Sequence, residues 1–314
     1  MKDICAAVFS LMMGFAIAPV VFGAEAPKVR IAYASRSASA MPQYVAVQKG
    51  YFKAEGLDVE IIQMNPRLGA TAVVNGDVSF ATPFTSSFRG VLQGFPMKLT
   101  FVHFKKGPYF LLVRPEIKDV QQLRGKRIGV ATIKGTDQLV AEEMLQARGF
   151  DISQIQAVSI GDGPVRMQAL ISGAVEAVCL APPHDLMLRK MGYPALLGPP
   201  ALGLPSAGML TSDRLIKENP QVVRRTLKAV LRAHQFIVDN RQETIQTLIK
   251  WLPQGLDIAE HSYDNELKNI NRDGTMTDAE INSIIERVGE KKRPLDEVRD
   301  FSFARDAFKE LGLR

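Results

Sequence analysis

The sequence predicts an α/β protein of two similar β-α-β lobes joined by two crossings and followed by a helical tail. Two observations carry this. The first is an internal echo. The runs from Lys28 to Ser35 and from Gly125 to Thr132 both read as a short buried strand ending near a small hydroxyl residue. The equivalent Arg30 and Arg127 are 97 residues apart. Asn75-Gly76-Asp77-Val78 and Ser172-Gly173-Ala174-Val175 both read as a glycine helix stop before a strand, and Gly76 and Gly173 are again 97 residues apart. The second observation is the order between the paired segments. In each half a helix (42–49 and 138–148) runs into a glycine (Gly50 and Gly149), and a strand follows (57–62 and 155–160). Self-similarity at a fixed offset marks a repeated unit, and alternating β and α builds a parallel sheet with right-handed crossovers.

The echo ends near residue 108, which places the crossings at 108–114 and 203–212. Lobe 1 is then 24–112 with 209–314, and lobe 2 is 113–208. The tail reads as helices. Asn219 is positioned to cap a helix beginning at Pro220, with Val223, Leu227, Val230, Leu231 and Val238 on one face. Ile245, Leu248, Ile249 and Leu252 mark the next helix, and Thr277 with Glu280 forms a capping-box pattern before Ile281. The tail is too long to decorate lobe 2 alone and is expected to return to lobe 1.

Composition sets the class. The 314 residues suit about two domains of roughly 150 each, and 46% apolar with 23% charged residues is that of a globular protein. The net charge of +6 is spread among acids, as from Arg287 to Arg293, which reads as a solvated surface rather than a nucleic-acid footprint. Lys2, an uncharged run from Ile4 to Gly23 and small residues at Gly23, Ala24 and Ala26 read as a secretory signal peptide covering residues 1–23. The run is also long enough to span a bilayer, but its Gly, Ala and Pro content points to cleavage. Cys5 leaves with it. Cys179, within an apolar run, reads as an inert core residue.

Ligands of open α/β sheets bind beyond the carboxyl ends of the strands, and here those loops carry hydroxyls and glycines. Arg36, Ser37 and Ser39 follow the first strand, and Thr82, Phe84 and Thr85 the third. Gly135, Thr136, Asp162 and His184 follow the strands of lobe 2. Hydroxyls and free N–H groups at helix starts hold polar or anionic groups. Arg36 is the candidate clamp for a carboxylate or sulfonate. Phe84 reads as exposed and Tyr109 as a possible wall, while Phe88 and Phe110 read as core. No Walker loop, HExxH, GxSxG or Cys/His pair is present, so binding rather than catalysis is expected, with no cofactor. The stretch from Asn269 to Gly274 with Glu280 has the spacing of a calcium loop, but its first ligand is Asn and Glu280 serves the capping box, so no metal is expected.

The segment from Met41 to Glu60 contains Gly50-Tyr51-Phe52 and Glu55-Gly56-Leu57-Asp58-Val59-Glu60. With Asn75-Gly76-Asp77-Val78, Gly135-Thr136, Ser172 to Ala177, Pro182-Pro183 and Ser212 to Pro220, it resembles the SsuA/THI5-like (NMT1) substrate-binding proteins. The resemblance covers nearly all of the chain after the signal segment. It implies a type II periplasmic-binding-protein fold and a periplasmic, monomeric protein. Such a protein captures a small solute of the nitrate, sulfonate, taurine or thiamine-pyrimidine class by closing its cleft, then delivers it to the membrane permease of an ABC importer. One branch of the family is enzymatic, making the thiamine pyrimidine, and carries a cysteine-rich motif that this chain lacks. A sensing subunit of a membrane signalling system is the other alternative.

Overall fold

The computed structural model describes residues 25–252 and 254–313; the expected signal peptide lies outside the described residues. The first half begins with β1 (Lys28–Tyr33), α1 (Met41–Gln48), α2 (Tyr51–Ala54) and β2 (Asp58–Gln63). It continues through α3 (Gly69–Asn75), β3 (Phe80–Pro83), α4 (Phe84–Leu92) and β4 (Met97–Phe104). The chain then enters a second sheet through β5 (Phe110–Val113), followed by β6 (Arg127–Val130), α5 (Thr136–Gln146), β7 (Gln156–Ser159) and α6 (Gly163–Ile171). This unit ends with β8 (Ala177–Leu180), α7 (His184–Lys190) and β9 (Ala195–Leu197), and β10 (Ala207–Ser212) returns to the first sheet.

The sheet orders are β2-β1-β3-β10-β4 and β7-β6-β8-β5-β9. The three echoed strands thus occupy the same places in both sheets, and each crossing strand inserts antiparallel beside the third of them. The echo reaches further than its sequence matches. Gly76 and Gly173 both close a helix with positive φ (85° and 78°). A Cβ on either would collide with an arginine guanidinium, that of Arg214 just after β10 and that of Arg114 just after β5. The positive φ is what favours glycine at both positions.

The expected boundaries shift by a few residues. Phe110, Leu111 and Leu112 pair with β8 and so belong to the second sheet, and Ala207 and Gly208 pair with β4 in the first. The links between sheets are therefore 105–109 and 198–206. The sequence could not resolve this because both crossing strands are continuous apolar runs, identical in character to strands and to connections that run through a core.

The tail comprises α8 (Asp213–Glu218), α9 (Pro220–Asp239), α10 (Arg241–Trp251), α11 (Leu256–Leu267), α12 (Asp278–Val288), α13 (Leu295–Val298) and α14 (Ser302–Glu310). Helix α9 buries Leu227, Val230 and Leu231 in one core with Ile31, Phe80 and Met209 of the first sheet. Its inward face ends at Ile237 rather than Val238, and Asn219 makes no side-chain cap bond. The Thr277–Glu280 capping box forms. Asp273 accepts from the N–H and hydroxyl of Thr275, so the calcium-like stretch is a turn whose acids bond to the chain itself. A second apolar cluster runs from Phe84, Phe88 and Leu99 into Leu111, Ile128 and Val140, which makes the two lobes continuous through their cores. Among the described residues no helix is long and apolar enough to cross a membrane.

A directed polar chain is sealed into lobe 1. His234 Nδ1 lies 3.0 Å from the Asn271 carbonyl, so that nitrogen carries the proton. His234 Nε2 then accepts from His103 Nδ1 at 2.9 Å, and His103 Nε2 accepts from the Gln43 amide at 2.7 Å. The chain requires both rings to be neutral. Burial holds His234 at about 4 and His103 well below the ordinary imidazole value, the latter helped by the neighbouring ring.

Candidate functional site

A narrow cleft with a cavity of about 90 Å³ lies between the lobes at the carboxyl ends of their strands. Lobe 1 contributes Ser35, Ser37 and Ser39 after β1, and Phe84, Thr85 and Ser86 after β3. Lobe 2 contributes Thr132, Thr136 and Asp137 after β6, Asp162 and Arg166 after β7, and His184 after β8. Tyr109 and Ser206, one from each link between the sheets, complete the wall. Helices α4 and α5 begin here without a side-chain cap, which leaves their first N–H groups without that partner. Helix α6 is capped by Asp162, which accepts from Val165 N–H.

Of the residues expected from sequence, the structure brings Ser37, Ser39, Phe84, Thr85, Thr136, Asp162 and His184 to the cleft and leaves out three. Arg36 points to solvent between two serines that turn inward. Thr82 is buried within β3, because side chains alternate along a strand and the next residue, Pro83, takes the cleft side. Gly135 stands behind the lining: a Cβ there would come 2.5 Å from Thr132 Oγ1, so its glycine serves close packing of the loop. Phe84 lines the cleft but is only 1% exposed, stacked on Phe88 with ring centroids 5.4 Å apart; the expectation that it is exposed fails because its ring turns into the core beneath α4.

The residue that sequence reasoning missed is Arg166. It is buried, its guanidinium donating to Asp137 Oδ2 at 2.6 Å and to the Cys179 carbonyl. The same Asp137 oxygen accepts from Ala131 N–H at 2.6 Å. One arginine thus ties together the ends of β6 and β8 and the first turns of α5 and α6. A signal was available: Arg166 lies one turn before Leu170 on the face of α6 that also holds Met167, where a charge is out of place unless paired.

The charges of the lining balance to the acidic side. Arg166 is matched by Asp137, and Asp162 adds a further carboxylate that also accepts from Gln63 across the seam at 3.1 Å. His184 is neutral at physiological pH, held at about 4 by burial and by Arg166. Burial pushes the Tyr109 phenol up, assisted by Asp137, so it stays protonated. Ser206 Oγ is buried with no partner. The cleft therefore presents hydroxyls, the neutral His184 ring and the Tyr109 phenol beside the Asp162 carboxylate, with buried Phe84 as part of its wall.

The lobes touch across this cleft. Thr136 donates to Thr85 Oγ1 at 2.6 Å, Gly163 N–H to Ser35 Oγ at 3.4 Å and Ala38 N–H to the Pro182 carbonyl at 3.2 Å. The family model described as NMT1/THI5 like matches residues 37–244, a span that holds every cleft-lining residue except Ala34 and Ser35.

The chain belongs to the NMT1/THI5-like family.

Riboflavin-binding protein RibY of Chloroflexus aurantiacus is 26% identical over 226 residues, which cover 68% of this chain and 63% of RibY, just under two thirds of that protein's length. The 4-amino-5-hydroxymethyl-2-methylpyrimidine phosphate synthase THI13 of Saccharomyces cerevisiae is 23% identical over 261 residues, covering 74% of this chain and 76% of the enzyme. Among solved structures, the alkanesulfonate-binding protein SsuA of Xanthomonas axonopodis pv. citri, bound to MOPS, superposes with a TM-score of 0.72 at 17% identity, over 88% of this chain and 99% of SsuA. The fold of this NMT1/THI5-like protein is thus the type II periplasmic-binding-protein fold.

Proposed function

We propose that the protein is an extracytoplasmic solute-binding protein of an ABC importer, and that its solute is a small, uncharged heteroaromatic molecule held by closure of the two lobes. The observation that carries the ligand class is the charge state of the cleft: its one arginine is matched by Asp137, and Arg36 lies outside it. A sulfonate or nitrate has no free cation to meet among the described lining residues and would rely on helix N-termini alone. A ring with polar edges would meet the aromatic side chain of Tyr109 and the hydroxyls of Ser37, Thr132 and Ser206 that line the cleft. That RibY is named for binding a flavin supports this class.

Binding rather than turnover is favoured by Cys179. It is the only cysteine among the described residues, and burial raises its thiol well above the ordinary value, the reverse of what a nucleophile needs. The test is native mass spectrometry of protein purified without denaturation from its own cells. A carried-over neutral heterocycle is expected. A carried-over sulfonate or nitrate would sink the ligand class. Chemical conversion of a bound pyrimidine on incubation would sink the binding-only role.

A further inference from the structure

Beside the solute cleft lies a second groove, lined by Arg67, Arg89 and Phe95 of lobe 1 and by Ile133 and Lys134 of lobe 2. We infer that this groove is where the importer's membrane subunit grips the closed protein, through a segment carrying an acidic side chain beside an apolar one; the inference rests on the importer reading above.

Three observations support it. The groove is composite. Ser86 and Thr132 meet across it at 3.4 Å, and Arg89 donates to the Lys134 carbonyl at 3.2 Å, so separating the lobes takes it apart. It is basic. No acidic side chain lines it; Arg89 is matched by Glu290 at 2.5 Å, while Arg67 and Lys134 have no acidic partner among the described residues. It is also apolar at the surface, with Phe95 37% and Ile133 40% exposed, and Leu68 beside Arg67 is 58% exposed. Charge complementarity then specifies the occupant, a carboxylate for Arg67 and Lys134 with an apolar contact for Ile133 and Phe95.

Linkage makes the placement functional. A partner that binds a surface present only in the closed form must, by reciprocity, favour closure, and solute that favours closure must favour the partner. The groove shares Ser86 and Thr132 with the solute cleft, so both surfaces are set by one lobe movement.

The test uses the permease–ATPase of the importer the protein serves, reconstituted in nanodiscs, with ATP hydrolysis followed as the binding protein is titrated in. Arg67→Glu, Lys134→Glu and Ile133→Asp are compared with Lys309→Glu, the same charge change on the exposed face of α14. Each variant is first matched to wild type for its thermal unfolding midpoint. The expected result is that each groove variant raises the half-maximal concentration about tenfold or more while Lys309→Glu leaves it unchanged. Stimulation by wild type and by all variants at the same concentration overturns this inference and leaves the importer reading intact. No stimulation by wild type overturns both. Loss of binding to vesicles of anionic phosphatidylglycerol in the groove variants, with ATPase stimulation unaltered, overturns it in favour of a lipid contact.

Discussion

Replacing Arg166 by Met keeps the length of the side chain and removes its charge, leaving Asp137 buried. Arg166 is 7% and Asp137 4% exposed, and the two are 2.6 Å apart. Removing one member of a buried pair costs about 3–5 kcal/mol, since the surviving charge is left without compensation. Asp137 keeps its bond from Ala131 N–H and sits in the first turn of α5, where the helix dipole favours a carboxylate. The cost should therefore fall at the lower end, about 3 kcal/mol. For a chain of this size that lowers the midpoint of thermal unfolding by about 5 °C. Asp137→Asn should relieve part of the loss in the double variant, so the two changes should be less than additive by about 1–2 kcal/mol. Urea unfolding should be followed by two signals. The single tryptophan, Trp251, stacks on Tyr44 in lobe 1 and reports that lobe, whereas far-ultraviolet circular dichroism reports the whole chain. Arg166 is in lobe 2, so the dichroism should fall first if the lobes unfold separately. A loss below about 1 kcal/mol with strictly additive changes would show that the pair does not hold the cleft together.

Four further outcomes are expected. The His103–His234 chain is neutral when folded, and both imidazoles bind protons more readily when unfolded. Its stabilisation is thus complete above about pH 6.5 and is lost as pH falls from there toward 4, which urea titrations at pH 7 and 5 will register as a lower midpoint at pH 5, with a smaller drop in His234→Phe. Glu266 behaves oppositely: burial and the charge of Asp185 raise it to about 8, so the folded state holds its proton more tightly and stability is lost as pH rises from about 4.5 through 8; Glu266→Gln should raise the midpoint at pH 8 and leave it unchanged at pH 4. Thr136→Val removes the contact to Thr85 and should weaken solute binding by about 1–3 kcal/mol in titration calorimetry, whereas Arg36→Ala should not change it. Edman sequencing of the exported protein should begin between Ala24 and Pro27; a start at Met1 would count against cleavage.

The sequence announced the strand ends and not the direction of each side chain. Loops rich in Ser, Thr and Gly after strands are visible to anyone counting periods, and Ser37, Ser39, Thr85 and Thr136 reached the cleft for that reason. Arg36 and Thr82 stand within or beside the same segments and miss it, because a single residue step along extended chain reverses the face on which a side chain stands. That step depends on where the strand register ends, and register was set by pairing with strands distant in sequence, as in the match of Ile31 with Phe80. Arg166 was overlooked for a different reason: it lies inside a helix rather than in a loop, and its partner Asp137 is 29 residues away. The two links between lobes were blurred because β5 and β10 carry the same apolar character as the core they join. The groove beside the cleft was out of reach of sequence altogether, since its halves come from Arg67 and Lys134 and meet only through the closure of the lobes.

At the cleft, the seam between the lobes is built from individually weak links. The contact of Thr136 with Thr85, of Gln63 with Asp162, of Gly163 with Ser35 and of Ala38 with Pro182 are single neutral or singly charged hydrogen bonds, each worth about 0.5–1.5 kcal/mol net and each exchangeable for water when the lobes part. Against them stand the ordering of the cleft loops and the desolvation of Asp162, so the cleft-side contacts contribute no more than a few kcal/mol to holding the lobes together. A solute that touches both lobes adds to these contacts by its differential affinity for the closed form. Other contacts join the two sides outside the cleft lining. His261 and Asp185, 2.7 Å apart, join α11 of the tail to α7 of lobe 2, with the aspartate fully buried. Arg287 joins α12 to Glu143 of α5 and to the Gly203 carbonyl. These tie the tail, which packs on lobe 1, to lobe 2. Tyr109 and Ser206 lie on the links 105–109 and 198–206, and the loops after β3 and β6 meet across the cleft. The groove of Arg67 and Lys134 is bounded by the same two loops, so it makes a stricter report of closure than any surface confined to one lobe.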